Sequence, residues 1–268
     1  MFIKNQKIRI FLSRITGRKY KKTLIKLKLL NLKLTKRKYP KHLNNISSHI
    51  VEVDSIEDLK KIFNWEKSPI LNDPKIYEYE SETDDNERRL RDAETLATVM
   101  CNLEPKIALE IGTAEGHSTA LMAINSPKTT VFTVNILPEE INSGEGGVFT
   151  SGSIEKERIG KYFRELGIKN IVQIFANTAI WEPNLGIIDV AFIDGCHDSD
   201  FVHNDTVKIL KNMKSGSFIL WHDFNPELSI KYDWIDSVCI GVEKLYEENL
   251  IKENIFHIKN SWIGVYKL

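Results

Sequence analysis

Two groups of polar side chains follow predicted strands in the second half of this sequence. Asp194 ends the apolar stretch 187–194, and His197 comes three residues later. His222 ends the stretch 217–222 and is followed by Asp223. Neighbouring parallel strands lie about 4.8 Å apart, and open α/β sheets bind ligands beyond the carboxyl ends of such strands. A carboxylate and an imidazole that meet there could remove a proton from a bound hydroxyl group.

A short apolar run followed by two glycines lies earlier in the chain. Residues 107–111 are typical of a strand that is buried on both faces. Gly112 and Gly116 then bracket a tight turn, and Ser118 opens a predicted helix. Backbone amides and the positive end of a helix face any ligand at such a turn, and Glu110 is placed to point at it. An ordinary strand-to-helix turn has the same pattern, so the turn alone does not establish a ligand site and other parts of the chain are needed as evidence.

From residue 88 onward the chain alternates predicted helices and strands. The spacing of apolar residues predicts helices over 88–103, 154–166, 200–213 and 235–248. Apolar runs predict further strands over 129–135 and 170–176, and a terminal hairpin from 255–258 and 262–266. This alternation is typical of an α/β fold, a doubly wound, mostly parallel sheet with helices on both faces.

The distribution of charge divides the chain into three predicted segments. The 268 residues include 37 basic and 37 acidic side chains. Fifteen of the basic residues lie within 1–41, and the first acidic residue is Glu52. We therefore predict a basic N-terminal arm over 1–50, an acidic linker or cap over 51–87, and a catalytic domain over 88–268.

The basic arm allows several interpretations. Residues 23–34 alternate leucine with lysine almost as a strand would, yet leucine favours a helix. Its positive charge could bind an anionic membrane surface or another polyanion, or the arm could join subunits. We favour a solvated tail or an arm that joins a homo-oligomer. The sequence has no motif for specific nucleic-acid recognition.

Cysteine content and hydropathy predict a compartment. The three cysteines are far apart and form no C-x-x-C pair, which favours a reducing environment over a disulfide framework or a zinc cluster. Arg9 and Arg14 interrupt any signal-peptide core between them. No apolar run approaches the ~20 residues that a membrane span needs. We therefore expect a cytoplasmic protein.

The glycine turn resembles the first motif of class I S-adenosylmethionine-dependent methyltransferases, in the form Glu110-x-Gly112-x-x-x-Gly116. Two further patterns, Phe192-Ile-Asp-Gly-x-His197 and Ile219-Leu-Trp-His-Asp223, are similar to a bacterial branch of this class. The resemblance runs from about residue 88 to residue 268 and does not cover the arm. It implies a Rossmann-like sheet of seven strands that ends in an antiparallel hairpin.

The resemblance implies S-adenosylmethionine as the cofactor, bound along the glycine turn and the neighbouring strand ends. The residues that it assigns to the cofactor are Glu110, Gly112, Thr113, Gly116, His117, Ser118, Asn135, Asn177 and Asp194. Asn135 and Asn177 depart from the family's pattern, which has acidic residues at both positions. An amide accepts a hydrogen bond but lacks the charge that strengthens it.

The resemblance extends to metal-dependent O-methyltransferases, which hold a divalent ion at the ends of the fourth and fifth strands. Asp194, His222 and Asp223 fall on these positions and would hold Mg²⁺ or Mn²⁺, which lowers the pKa of a bound hydroxyl. His222 supplies nitrogen where oxygen is expected, which favours Mn²⁺, Fe²⁺ or Zn²⁺ over Mg²⁺. A direct Asp194–His222 hydrogen bond without an ion is the alternative. His197 falls where such enzymes carry a general base, so Asp194 and His197 are the predicted catalytic residues.

Three functions agree with these patterns. The first, which we favour, is O-methylation of a hydroxyl on a small polyhydroxylated, sugar-like substrate. The second is a degenerate methyltransferase fold that only binds a partner, since Asn135 and Asn177 weaken the cofactor site. The third is a metal-dependent hydroxylase on the same scaffold, since a fold does not fix chemistry. Polar groups at two buried strand ends favour the enzyme over the binding protein.

Overall fold

One sheet of eight strands forms the centre of the protein. The structure is a computed structural model that describes residues 18–71, 86–142, 147, 150 and 154–268. The strands are β1 (Ile50–Val53), β2 (Ile107–Ile111), β3 (Thr130–Asn135), β4 (Ile171–Phe175), β5 (Val190–Ile193), β6 (Phe218–Trp221), β7 (Ile255–Ile258) and β8 (Gly264–Lys267). Their order across the sheet is β1-β7-β8-β6-β5-β2-β3-β4. β8 is antiparallel to both of its neighbours, and the other pairs are parallel.

Helices connect the strands and cover both faces of the sheet. The helices are α1 (Arg18–Thr35), α2 (Asn44–His49), α3 (Ile56–Phe63), α4 (Asn86–Leu103), α5 (His117–Asn125), α6 (Pro138–Asn142), α7 (Lys161–Glu165), α8 (Ser199–Leu210) and α9 (Asp233–Glu247). Alternate residues of β5 belong to different apolar clusters. Ala191 and Ile193 pack with residues of α8 and α9, whereas Val190 and Phe192 pack with residues of α4 and α5. Burial on both faces explains why this strand is apolar throughout.

The predicted α/β class and terminal hairpin are confirmed, with one strand more than the seven that the resemblance implies. In the hairpin, β7 and β8 pair with Ile255 opposite Tyr266. The additional strand, β1, lies at the edge of the sheet and pairs in parallel with β7. It spans the border between the predicted arm and the predicted linker. Its four residues are too short a pattern to identify a strand locally, because their conformation depends on pairing with a segment 200 residues away.

The end of the predicted arm packs into the body of the protein. Leu43 and Ile46 are fully buried and belong to the apolar cluster that contains residues of β2 and β5. The buried Tyr39 donates a hydrogen bond to Glu52 (2.6 Å). The predicted division at residue 50 therefore does not correspond to a break in packing, because it was drawn from charge and not from burial.

The structure decides one open alternative and shortens one predicted helix. The leucine–lysine stretch 23–34 is helical, as part of α1. The helix predicted over 154–166 is shorter, because α7 begins only at Lys161. Before α7, the backbone amide of Gly160 donates to the carbonyl of Ala114 (2.8 Å), so this segment binds the glycine turn instead of continuing a helix.

Part of the predicted arm, residues 1–17, and part of the predicted linker, residues 72–85, lie outside the described residues. None of the helices that the structure describes is both long enough and apolar enough to span a bilayer.

Candidate active site

A cavity of about 430 Å³ opens at the carboxyl ends of the parallel strands β2 to β6. This volume is within the range of ~300–1,000 Å³ that small-molecule sites occupy. The predicted site residues that line it are Gly112, Thr113, Gly116, His117, Ser118, Asn135, Asn177, Asp194, His197 and His222. Glu110 and Asp223 are not among its lining residues. The sheet therefore brings most of the predicted site to one place.

The glycine turn packs tightly against the end of β5. Gly112 has a φ of +102°, and a Cβ there would lie 2.0 Å from the backbone oxygen of Asp194. Gly116 has a φ of +90°, and its Cβ would lie 2.5 Å from the Phe163 ring. The amide of Asp194 in turn donates to the carbonyl of Ile111 (2.8 Å). Both glycines are therefore required by this close packing, which fixes Asp194 beside the turn.

Glu110 lies beneath the turn and not in the cavity. Its fully buried carboxylate accepts hydrogen bonds from the hydroxyls of Ser118, Thr119 and Thr133. Burial raises the pKa of Glu110 to about 7, although the three hydroxyl donors oppose this shift. The sequence predicted that Glu110 faces the ligand, but these contacts turn its side chain away from the cavity. Glu110 instead joins β2 to β3 and α5 behind the site.

We expect Glu110→Gln to change how stability depends on pH. Because the folded state raises the pKa of Glu110 from 4.5 to about 7, its protonated form favours folding. This contribution is complete below pH 4.5 and is lost as the pH rises through 7, on the order of 3 kcal/mol in total. Urea unfolding at about pH 5 and pH 8 should show a smaller loss of stability in Glu110→Gln than in the wild type. Equal losses in both proteins would contradict the shifted pKa.

Both asparagines at the predicted cofactor site engage the backbone. The side-chain oxygen of Asn135 accepts from the amide of Ala114 (3.1 Å), and its nitrogen donates to the carbonyl of Ile136 (2.8 Å). The side-chain oxygen of Asn177 accepts from the amide of Ala179 (3.0 Å). An aspartate at position 135 would set a second oxygen against the Ile136 carbonyl, so the local structure favours the amide. Both side chains still line the cavity, where the carbonyl oxygen can accept a second hydrogen bond.

His117 begins α5 at the wall of the cavity. Its ring contacts that of Tyr162 at a tilt of 39°, with centroids 4.2 Å apart, and its Nε2 lies 3.7 Å from Glu115. Its Nδ1 is buried and has no hydrogen-bond partner among the described residues. Thr113 differs, since its hydroxyl already pairs with that of Thr133 (2.7 Å). His117 therefore offers an unused polar atom to a ligand at the first turn of a helix.

The polar ends of β5 and β6 form one buried cluster. Oδ1 of Asp194 lies 3.0 Å from Nδ1 of His222 and 3.6 Å from Nε2 of His197. Asp223 approaches the same rings, 3.3 Å from Nε2 of His197 and 3.7 Å from Nδ1 of His222. Nδ1 of His222 and Nε2 of His197 are not aligned for a hydrogen bond with another described residue. The two rings and the two carboxylates therefore attract each other through their charges. The convergence expected from parallel strand ends is therefore present.

Opposite charges set the protonation of this cluster. Burial by itself would raise the pKa of Asp194, but His222 and His197 hold it well below its usual range. Burial lowers the pKa of His197, yet Asp194 and Asp223 bring it above the ordinary value for histidine. Burial likewise opposes the protonation of His222, but the same two carboxylates raise its pKa well above that value. Both rings therefore hold a proton more strongly than free histidine does.

Asp92, which sequence reasoning did not single out, completes the cluster from α4. One of its oxygens lies 3.4 Å from Nε2 of His222 and 2.5 Å from Arg88. The other accepts from the hydroxyl of Ser261 and the amide of Trp262, at 2.7 Å each. Asp92 thus holds His222 from the side away from Asp194. In the sequence, Asp92 is only an acidic residue within the predicted helix 88–103, and this position does not indicate that it contacts His222 and Arg88.

The predicted metal site does not fit the arrangement of these side chains. Among the residues that the structure describes, no group of three or more His, Cys, Asp or Glu residues could hold a metal ion. In the cluster, His222 has a carboxylate on each side of its ring, and a protonated imidazole has no lone pair for an ion. Binding of Mg²⁺ or Mn²⁺ to Asp194, His222 and Asp223 stays a prediction.

A comparison with protein families gives one match. Residues 109–224, which are less than half of the chain, match a family model described as a methyltransferase domain. The match includes the glycine turn and the strand ends that carry Asp194, His222 and Asp223. A search of curated proteins finds no match.

Solved methyltransferase structures are similar at low sequence identity. The O-methyltransferase NovP has a TM-score of 0.49 and 11% identity, over 66% of this chain and 77% of that chain. An O-methyltransferase from Bacillus cereus in complex with SAH has a TM-score of 0.46 and 13% identity, over 92% and 100%. The SAH-bound methyltransferase PaMTH1 from Podospora anserina has a TM-score of 0.47 and 15% identity, over 78% and 93%.

The class of the protein follows from its sheet, its site and the family match. A mostly parallel sheet ends in an antiparallel hairpin, and a glycine turn meets the cavity at the carboxyl ends of the strands. Residues 109–224 match the methyltransferase domain across this region. The protein therefore contains a methyltransferase domain over residues 109–224.

Proposed function

We propose that the protein transfers a methyl group to a hydroxyl of a small polyhydroxylated acceptor. The observation that supports this most directly is that Asp194, His197 and His222 line the same cavity as the glycine turn. Methyl transfer from a sulfonium needs an acceptor oxygen that is held in line and deprotonated, so positioning and proton removal supply most of the catalysis. The cavity, of about 430 Å³, has the size of a small-molecule site.

The residues that would hold S-adenosylmethionine lie along the glycine turn. The cofactor, when bound, supplies an electrophilic methyl group. Its anionic carboxylate suits the first turn of α5, where the helix dipole is positive and Nδ1 of His117 has no described partner. Asn135 and Asn177 line the cavity beyond β3 and β4, where each can accept a hydrogen bond from the cofactor.

The acceptor side of the site would remove and hold one proton. In this proposal His197 takes the proton of the acceptor hydroxyl, in the fraction of molecules in which its ring is neutral. Asp194 and Asp223 stabilise the imidazolium that forms, since both carboxylates raise the pKa of His197. Asp92 does not contact His197. It positions His222, and His222 in turn faces Asp194.

A divalent ion has no part in these steps, and its binding can be measured separately. Equilibrium dialysis of the protein against Mn²⁺ would report binding without any acceptor. Stoichiometric binding that Asp194→Asn abolishes would place the ion in the acceptor site. The acceptor hydroxyl would then lose its proton with the help of the ion and not through His197 alone.

Cofactor binding is the first test of the proposed function. We expect S-adenosylhomocysteine at about 100 times its Kd to stabilise the protein by about 2.7 kcal/mol, which raises the melting temperature by several degrees. His117→Ala should weaken binding about tenfold in calorimetry, since it removes one hydrogen bond to the ligand. His203→Ala is the matched control, because His203 pairs with Glu248 and does not line the cavity.

The acceptor is identified in a second step. Transfer of labelled methyl from S-adenosylmethionine is measured over a panel of sugars, glycosides and catechols. We expect transfer to a hydroxyl of a polyhydroxylated compound. Absence of any cofactor effect would overturn the proposal and favour a binding protein on a methyltransferase fold. Cofactor binding with transfer to nitrogen alone would overturn the choice of acceptor.

A further inference from the structure

Helix α1 is fixed to the body of the protein by one of its faces. Among its residues 21–35, Ile25 and Leu32 are the partly buried ones, and the helix packs on a 3₁₀ turn at residues 228–230. Lys21 forms an ion pair with Asp233 of α9 (2.7 Å). Just beyond the helix, Lys38 pairs with Glu227 (3.1 Å). These contacts give α1 a defined inner side and a defined outer side.

The outer side of α1 exposes a row of leucines. Leu27, Leu30 and Leu34 are 58%, 52% and 75% exposed. Their spacing of three and four residues places them on one face, because an α-helix has 3.6 residues per turn. The same geometry places that face opposite Ile25 and Leu32. The leucine row therefore points away from the body and has no cover among the described residues.

Lysines are found beside this leucine row. Lys26 and Lys33 lie along one side of it by helical geometry, and both are exposed. Residues 1–41 contain no acidic side chain, whereas acidic residues outnumber basic ones in the rest of the chain. An exposed helix with an apolar row beside a row of lysines matches the surface of an anionic bilayer, which has an apolar interior and charged headgroups.

We propose that the outer face of α1 lies flat on an anionic lipid bilayer. Leu27, Leu30 and Leu34 would enter the boundary of the acyl chains, and Lys26 and Lys33 would meet lipid phosphates. A nucleic acid would use the lysines but leave the leucines in water. A second copy of α1 would cover the leucines but set lysine against lysine. The bilayer satisfies both kinds of side chain, so charge complementarity and apolar exposure favour the same partner.

Vesicle sedimentation with the full chain tests this proposal. We expect binding to phosphatidylcholine vesicles with about 30% phosphatidylglycerol, weak binding without the anionic lipid, and loss of affinity as salt rises. The variant Leu27→Gln/Leu30→Gln/Leu34→Gln should bind at least about tenfold more weakly, since it removes the apolar contact. The matched control is Leu166→Gln/Ile180→Gln/Ile187→Gln, which changes three exposed apolar residues elsewhere and should bind like the wild type.

A second variant separates loss of binding from loss of fold. Lys26→Gln/Lys33→Gln should keep the melting temperature of the wild type and weaken binding to the anionic vesicles. Equal binding by the wild type and the leucine variant would overturn the proposal. So would heparin binding without vesicle binding, which indicates a polyanion, or a dimer that the leucine variant dissociates, which indicates a second copy.

Discussion

We expect Asp194→Asn to lower methyl transfer by a factor of about 10² or more while the fold and the binding of S-adenosylhomocysteine persist. The substitution keeps the size of the side chain and removes the charge that faces His197 and His222. Without that charge, the imidazolium that forms when His197 takes a proton loses one of its two stabilising carboxylates. The fold should survive because the two histidines can release a proton and keep the cluster near neutrality.

Asp189→Asn is the matched control for this prediction. Asp189 lies at the opposite end of the same strand, where it pairs with Lys214 (3.2 Å) and accepts from the amide of Lys106 (2.9 Å). The control should keep its turnover, because it changes a carboxylate that is far from the cavity. Turnover is measured with labelled S-adenosylmethionine and the acceptor that the panel identifies. Near wild-type turnover in Asp194→Asn, or unfolding of that variant, would contradict a role for Asp194 in proton transfer.

The sequence predicted the parts of the fold that local pattern determines. The strand β5 is an apolar run, the hairpin of β7 and β8 has a short polar connection, and the turn after β2 has two glycines. The strand β1 was missed because its four residues are stabilised by pairing with β7, a partner that is distant in sequence. The conformation of α1 could not be predicted, because its alternation of leucine and lysine favours a strand whereas the propensity of leucine favours a helix.

The candidate site was predictable to the extent that strand ends define it. Asp194 and His222 follow neighbouring parallel strands, so their convergence follows from the topology. Asp92 comes from a helix more than 100 residues earlier in the chain, and nothing in its local sequence indicates that it faces His222. Glu110 was expected to face the ligand, but hydroxyls of α5 and β3 enclose it. Which side of a strand end is open depends on packing, and the sequence pattern does not contain that information.

We expect Gly112→Ala to be the most destabilising single substitution at the glycine turn. Its Cβ would lie 2.0 Å from the backbone oxygen of Asp194 and 2.9 Å from Cα of Gly195, and backbone atoms cannot move aside as a flexible side chain can. Overpacking of this kind costs about 1–3 kcal/mol or more, and the positive φ adds about 1–2 kcal/mol for any residue with a Cβ. The melting temperature should fall by roughly 6–12 °C. Cofactor binding should be lost as well, since β2 and β5 must separate at the turn.

Gly216→Ala separates the two causes of this effect. Gly216 has a similar φ of +88°, but a Cβ there would meet nothing within 4 Å. This control therefore includes the backbone strain without the close contact, and it should lose only about 1–2 kcal/mol and keep its affinity for S-adenosylhomocysteine. Thermal melts and calorimetry of both variants make the comparison. Equal destabilisation of the two would show that backbone conformation alone requires glycine at position 112. A larger effect at Gly112 together with loss of the cofactor would show that the turn and Asp194 are held in place by the same contact.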